Sequence, residues 1–162
     1  MIAIPINSET HGECLFYIDG EDFDKIKDYK WCLSKCKNTL YVATGSYGKN
    51  LVRLHRLLMD FPEGFYIDHI DGNTLNNCRS NLRLCTHSQN CMNSSKTNRK
   101  TSSKYKGVSF NNNKKKYISQ LTYNRKRVII GQFNNEKDAA IAYNNAAVKH
   151  FGEFAKLNKV EV

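Results

Sequence analysis

The chain has 162 residues, enough for one domain or two small ones, so any hydrophobic core must be small. Its formal net charge of +10 is unevenly distributed. Residues 1–95 carry 10 Lys and Arg against 11 Asp and Glu, whereas residues 96–162 carry 15 against 4. The second half therefore has a net charge of +11, which predicts a polyanionic partner, and nucleic acid is the commonest of these.

The six cysteines come with no signal peptide and with no apolar run long enough to span a membrane. This combination predicts reduced thiols in a cytosol-like compartment, and therefore a cytoplasmic protein that is neither secreted nor membrane-bound. The cysteine spacings lack paired C-x-x-C knuckles, which argues against a structural Zn²⁺ site.

Residues 1–53 read as an N-terminal β-rich region of short strands separated by turns and glycines. No chemistry is recognisable in this region, and we expect it to support the segment after residue 53 or to add DNA contacts. The predicted strands cover residues 2–6, 14–18, 31–34, 40–44 and 51–54, with a brief helix or turn over 22–29.

Residues 54–95 carry the chain's most informative pattern. A short helix over 54–59 is followed by a strand over 65–67 that ends in Asp68 and His69. After a polar loop, residues 81–85 read as a second strand. Thr86 and Gln89 then have the spacing of a capping box, which predicts a helix that carries Asn90 in its first turns. The result is a β-loop-β-helix unit.

These side chains suit phosphodiester cleavage, which needs a base to deprotonate water and a cation to stabilise charge on the phosphate. His69 titrates near neutral pH and can act as the base. Asp68 and Asn90 offer hard oxygen ligands, which favour Mg²⁺ or Mn²⁺. Adjacent strand residues point to opposite faces, so the strand must end or twist at Asp68 and His69 if both serve one site.

The remaining residues predict a basic linker over 96–103 and a second domain over 104–159. Three strand-like runs, over 107–110, 117–123 and 127–130, precede a helix over 136–151 whose alanines can lie close to a sheet. Val128 and Ile130 should face that helix, and Arg127 and Ile129 should face away. The predicted fold class is α+β.

A basic cluster lies on the strands and turns of this second domain, and it comprises Lys114, Lys115, Lys116, Arg125 and Arg127. We predict that the lysines contact DNA phosphates and that Arg125 and Arg127 read guanine. The alternative is that the lysines form a solvated turn that only aids solubility.

The motifs of residues 54–94, taken in order, resemble those of the HNH (His-Me finger, ββα-metal) nucleases, in the branch of intron- or phage-encoded homing endonucleases. The resemblance implies that His69 is the general base, that Asp68 and Asn90 hold the metal, and that Asn81 holds the loop and the base in position. Asn90 stands where many relatives have a histidine, which favours magnesium. The motifs are His55-Arg56-Leu57, Asp68-His69-Ile70-Asp71-Gly72-Asn73, Asn76-Asn77, Asn81-Leu82-Arg83, Gln89-Asn90 and Asn93.

Residues 103–158 are similar to the DNA-binding domain of the plant ethylene-response-factor class. That likeness implies a three-stranded sheet in the major groove, backed by a helix, and it adds Lys106, Ser109 and Tyr117 to the expected DNA contacts. Ser109 replaces an arginine and Tyr117 a tryptophan of the plant domain, so the plant target sequence is not carried over. The matching residues include Tyr105-Lys106-Gly107-Val108, Lys126-Arg127-Val128, Ala139-Ala140 and Ala155-Lys156-Leu157-Asn158.

Taken together, the sequence predicts a metal-dependent DNA endonuclease of the HNH homing type that acts on double-stranded DNA as a monomer or a DNA-induced dimer. It would work in a phage- or virus-infected cell, or be intron-encoded. Two alternatives remain open: a non-catalytic DNA-binding transcriptional regulator, and a protein that binds or cleaves RNA.

Overall fold

A computed structural model describes residues 1–36, 39–46, 49–96 and 101–160. The chain divides into two compact units, residues 1–90 and 91–162. The sequence placed a linker at 96–103, of which residues 97–100 lie outside the described part of the chain. Within that part, no helix is long and apolar enough to cross a membrane.

The first unit combines small antiparallel sheets with short helices. Strands β1 and β2 form a hairpin, β3, β4 and β5 form a three-stranded sheet, and β6 pairs with β7. The elements are β1 (Ile2–Ser8), β2 (Gly12–Ile18), α1 (Phe23–Ile26), β3 (Trp31–Cys36), β4 (Thr39–Ser46), β5 (Lys49–Arg53), α2 (Leu54–Leu58), β6 (Tyr66–His69), β7 (Leu82–Cys85) and α3 (His87–Asn93), the last of which contains the division between the units.

The core of the first unit comes from the β1–β2 hairpin, β4 and the two short helices. Apolar residues that alternate along these strands share one face, and burying that face holds the hairpin against the sheet. The fully or almost fully buried members are Ile6, Phe16, Ile18, Ile26, Val42, Leu54 and Leu58.

The N-terminal region also holds the loop between β6 and β7. The backbone of Tyr17 bonds to this loop twice, accepting from Asn77 N at 2.7 Å and donating to Leu75 O at 2.8 Å. Arg79 donates to both carboxylate oxygens of the buried Asp22, at 2.6 Å from Nη2 to Oδ1 and 2.9 Å from Nε to Oδ2. Residues 1–53 therefore support the segment that carries the candidate site.

The second unit is a three-stranded antiparallel sheet, in the order β10-β9-β8, packed on one helix. Its elements are β8 (Val108–Asn111), β9 (Lys116–Tyr123), β10 (Lys126–Phe133) and α4 (Glu136–Phe151). The helix begins and ends where the sequence predicted, because Asn135 Oδ1 caps it by accepting from Asp138 N at 2.7 Å and Gly152 follows its last residue.

Small side chains let α4 approach the sheet closely. Ala139, Ala140 and Ala147 are completely buried. Val128 and Ile130 pack against the helix-side core, whereas Ile129 is 63% exposed. The predicted facing of β10 is confirmed at these three positions. The opposite face of the sheet, here called the outer face, has no covering helix among the described residues of the second unit.

Candidate active site

Strand β6 ends in two buried polar side chains, Asp68 and His69, each 5% exposed. Antiparallel pairing with β7 places Asp68 opposite Arg83 and His69 opposite Leu82. Arg83 donates to Oδ2 of Asp68 from Nε at 2.9 Å and from Nη2 at 2.8 Å. Asp68 is thus an oriented carboxylate whose charge is matched by a guanidinium.

The orientation of the buried His69 is set by Asn77, which is only 1% exposed. Nε2 of His69 is 3.3 Å from Oδ1 of Asn77, and the Asn77 amide nitrogen donates to Thr74 O at 3.4 Å. Burial lowers the pKa of His69, although the Asn77 contact and the nearby Asp71 and Asp68 charges oppose that shift. The imidazole is therefore neutral at neutral pH.

A second buried histidine lies beside the first. The rings of His55 and His69 meet edge to face with centroids 5.1 Å apart. Burial lowers the pKa of His55 to about 3, and the neighbouring His69 and Arg53 contribute to the same shift. A ring that stays neutral cannot attract a phosphate by charge, so of the two roles that can be considered for His55, structural support and phosphate contact, the environment favours the first.

Asn81 organises the loop that follows β6. Its Oδ1 accepts from Asp71 N at 3.0 Å, and its Nδ2 donates to Asp71 Oδ1 at 3.0 Å and to Asn76 O at 2.8 Å. Burial would raise the pKa of Asp71, but hydrogen bonds from Asn76, the Asn73 backbone and Asn81 outweigh it and lower that pKa. The ionised carboxylate is the centre of a loop that starts directly after His69.

Helix α3 presents Asn90 from a well-defined start. Thr86 Oγ1 accepts from Gln89 N at 3.3 Å, and Gln89 Oε1 accepts from Thr86 N at 2.8 Å. These reciprocal bonds confirm the predicted capping box. Asn90 follows in the first turn and is partly exposed.

The donor chemistry of the site fits a small hard cation. Asp68 and Asn90 would supply one carboxylate and one amide oxygen, and Mg²⁺ commonly binds through one or two such groups while keeping several waters. Nowhere in the described residues do three or more His, Cys, Asp or Glu side chains gather as a metal cluster. Carboxylate and amide oxygens are hard donors of the kind that Mg²⁺ prefers.

The second unit presents polar and basic groups on its outer face and at its turns. Ser109 pairs with Ile118 across β8 and β9, and Arg127 donates from Nε to Gln120 Oε1 at 2.7 Å. The alternation of β9 places Lys116 on the face away from α4. Lys114, Lys115 and Arg125 are exposed residues of the two hairpin turns.

Two residues expected among the DNA contacts, Lys106 and Tyr117, contact other parts of the second unit, and their role at DNA stays a prediction. Lys106 donates from Nζ to the carbonyls of Met92 and Ser94, at 2.5 and 2.7 Å, so it stabilises the backbone near the end of α3. Tyr117 packs on the helix-side core, with its ring centroid 4.9 Å from that of Phe110. Strand parity puts Tyr117 on the covered face of the sheet, where it fills the core.

Two residues beside the site have roles that the sequence did not predict. Arg83 stands out in the sequence only as part of a motif, although an opposite charge facing Asp68 across a hairpin is a usable signal once the register is known. Asn77 carries no comparable signal, because in a chain with 19 Asn a single amide has little predictive weight. Its role depends on how the long β6–β7 loop folds back over His69.

Comparison with known proteins points to one family. The sequence model for HNH endonucleases matches residues 60–92. An uncharacterised HNH endonuclease of Acanthamoeba polyphaga mimivirus is 38% identical over 155 residues, which cover 90% of this chain and 75% of that protein. Protein 3.8 of Escherichia phage T7 is 41% identical over 61 residues, 38% of this chain and 50% of that protein. No solved structure matches the chain.

Proposed function

The chain belongs to the HNH endonuclease family, and we propose that it is a metal-dependent DNA endonuclease in which His69 is the general base. One observation carries the proposal: a buried, neutral histidine is oriented by an amide at the end of a strand, directly after an ion-paired aspartate. Strands β6 and β7 with helix α3 would form the ββα-metal unit.

The orientation of Asn77 supports Nδ1 as the acting nitrogen of His69. Because the Asn77 amide nitrogen donates to Thr74 O, its oxygen faces the imidazole and accepts from Nε2. The proton then resides on Nε2, and Nδ1 is the basic nitrogen. In the proposed reaction Nδ1 takes a proton from water, the water oxygen bonds to phosphorus, and the bond to the 3′ oxygen breaks. The products are a 3′ hydroxyl, protonated from solvent, and a 5′ phosphate.

HNH nucleases generally use a divalent metal, and we propose Mg²⁺ held by Asp68 and Asn90, with Mn²⁺ as a substitute. When bound, the ion would stabilise negative charge on the phosphate. Arg83 holds the carboxylate of Asp68 in one orientation, and the Thr86–Gln89 cap fixes the start of the helix that carries Asn90. Both ligands would therefore be preorganised.

We assign Asn81 the role of a positioning residue. Its three hydrogen bonds hold the loop of residues 71–76, which begins two residues after His69. A fixed loop keeps both the backbone after the base and the Asn77 amide in place. Removing these bonds should reduce the rate of cleavage more than it reduces DNA binding.

The second unit would hold the DNA, by the ethylene-response-factor-like interpretation of its sheet. By that likeness, the outer face of the three-stranded sheet would enter the major groove. We propose that Arg125 and Arg127 read bases, that Lys114, Lys115 and Lys116 contact phosphates, and that Ser109 lies at the interface. The viral and phage sources of the two relatives agree with action in an infected cell.

Plasmid cleavage with Mg²⁺ added or omitted tests the proposal, using His69→Ala and the matched control His87→Ala. His87 is exposed and its ring meets that of Tyr66 edge to face, so its substitution changes a histidine of the same unit without removing the proposed base. A general base contributes about 10²–10⁴-fold to a rate, so His69→Ala should lose at least that much while His87→Ala cleaves normally.

Two outcomes would contradict the proposal. Cleavage at an unchanged rate by His69→Ala would remove the catalytic assignment. Failure of the folded wild-type protein to cut with any divalent ion, while still binding duplex DNA, would favour the regulator instead. Competition between duplex DNA and folded RNA separates the RNA-directed alternative.

A further inference from the structure

The second unit contains a lysine-lined groove that is separate from the outer face of its sheet. The groove has a volume of about 320 Å³ and is built from three stretches of chain: the residues after α3, the residues before β8, and the tail after α4. Among the described residues that line it none is acidic, and five are lysines: Lys96, Lys104, Lys106, Lys156 and Lys159.

Hydrogen bonds hold the segment after α4 that lines the groove. Asn158 Oδ1 accepts from Lys106 N at 2.7 Å, and its Nδ2 donates to Lys106 O at 3.0 Å. Asn144 of α4 bonds in the same two-way manner to the backbone of Asn158, at 2.8 and 2.9 Å. These bonds fix the backbone of the tail to both α4 and the residues before β8, and Lys156 and Lys159 project from that backbone.

Crowding of positive charge is evident in this groove. Burial lowers the pKa of Lys106 to about 8, and the like charge of Lys156 contributes to the same shift. Burial also lowers the pKa of Lys96, although the negative charge of the nearby Glu136 opposes that shift. Glu136 itself accepts from Lys104 N at 2.9 Å. Because no acidic side chain is among the described residues that line the groove, an anion bound there would be attracted by the five ammonium groups.

Four of the five lysines fall into two pairs by hydrogen bonding and exposure. Lys106 and Lys96 both donate to backbone carbonyls, and Lys96 bonds to Ser103 O at 2.5 Å and to Tyr105 O at 2.7 Å. These two lysines therefore stabilise the chain segments that line the groove. Lys104 and Lys159 are exposed at the groove. Lysine is a flexible point charge suited to phosphate contact without base reading.

We propose that this groove binds the phosphodiester backbone of DNA, as a second contact surface beyond the outer face of the sheet. The inference rests on the proposed function in that it takes DNA as the partner. A linear polyanion fits lysines contributed by three separate stretches of chain, and it fits the +11 charge of residues 96–162.

Binding of a short labelled duplex across a salt series tests the groove, in EDTA so that no cleavage occurs. Each lost phosphate contact lowers the slope of log K against log salt by about 0.9. The double substitution Lys104→Gln and Lys159→Gln should therefore lower the slope by about 1.8. The matched control is Lys137→Gln with Lys149→Gln, two exposed lysines of α4 that do not line the groove, and it should keep the wild-type slope.

If the groove variant and the α4 variant have the same slope of log K against log salt, whether or not it is lower than that of the wild type, the groove does not contact DNA. The same holds if the wild-type protein shows no salt-dependent binding to the duplex. This readout is independent of catalysis, because binding is measured without metal. An unchanged slope with normal plasmid cleavage rejects only the groove, whereas a lowered slope with no cleavage rejects only the nuclease.

Discussion

Arg83 directs two nitrogens of its guanidinium, Nε and Nη2, at a single carboxylate oxygen of Asp68, and both side chains are largely buried. The pair lies at directly opposed positions of the β6–β7 hairpin. A proposed metal ligand is thus held by a cation of its own strand pair. Stability and ligand orientation therefore depend on the same contact.

Removing the guanidinium should be strongly destabilising. Arg83→Gln takes the guanidinium away from a buried carboxylate, and breaking a buried ion pair from one side costs about 3–5 kcal/mol in the free energy of unfolding. Urea unfolding measures this loss. The control is Arg56→Gln, which removes an arginine of the same unit whose side chain, among the described residues, donates one long hydrogen bond of 3.4 Å to Pro62 O. Equal destabilisation by the two substitutions would contradict the prediction.

The pH dependence of cleavage should report the contact between Asn77 and His69. Burial lowers the pKa of His69, so the neutral base is present at neutral pH, and the rate should fall only below the ordinary histidine pKa of about 6.5. Asn77→Asp puts a carboxylate beside Nε2, which favours the protonated ring. The acid limb of the pH–rate profile should therefore move to higher pH.

Single-turnover cleavage rates at a series of pH values measure this shift. Asn73→Asp is the control, because it adds the same charge to the same loop while its side-chain oxygen still accepts from Leu75 N. A profile that moves equally in both variants would show a general charge effect and not the proposed contact.

Features set by short-range sequence signals were predictable. Helix α4 has an asparagine cap, acids in its first turn and a glycine after its end, and the start of α3 follows from Thr86 and Gln89. These signals lie within a few residues of the feature that they determine, so no knowledge of the tertiary fold is needed to read them.

Features that depend on tertiary placement were not predictable. The bonds of Lys106 to carbonyls near the end of α3 and the inward packing of Tyr117 depend on which surfaces the fold covers. Asn77 reaches His69 only because the β6–β7 loop is fixed by the backbone of Tyr17. Charge and residue type can mark such side chains as candidate functional residues, but they do not predict which groups those side chains contact.

His55 should make the folded state sensitive to mild acid. The pKa of His55 is about 3 in the folded protein and 6.5 for an ordinary exposed histidine, the value expected in the unfolded chain. Between these two pH values the unfolded chain therefore binds more protons than the folded protein. The contribution of His55 is complete above pH 6.5 and is lost as the pH falls toward 3, with about 2 kcal/mol lost by pH 5. Urea unfolding of wild type and His55→Gln at pH 7 and pH 5 measures this. An identical pH dependence in the two proteins would contradict the assignment.

We expect that Gly107 cannot be replaced by a larger residue, because an added side chain would clash with its neighbours. Gly64, which has the same backbone conformation but open space around it, separates this clash from backbone strain. The φ of Gly107 is +74°, and an added Cβ would lie 2.1 Å from Cδ2 of the buried Tyr143 and 2.6 Å from Gln120 O. Gly64 has the same φ of +74° with nothing within 4 Å of an added Cβ. Gly64→Ala should cost only the left-handed backbone penalty of about 1–2 kcal/mol.

Gly107→Ala must in addition push β8 away from β9 and α4, because neither a backbone carbonyl nor a packed ring can move aside cheaply. It should therefore lower the free energy of unfolding well beyond the loss in Gly64→Ala, as followed by far-UV circular dichroism, which reports helix α4. Since Gly107 directly follows Lys106, whose backbone pairs with Asn158, the same substitution should also weaken salt-dependent binding of duplex DNA. Losses of stability no larger than those in Gly64→Ala would show that the sheet can yield at this point.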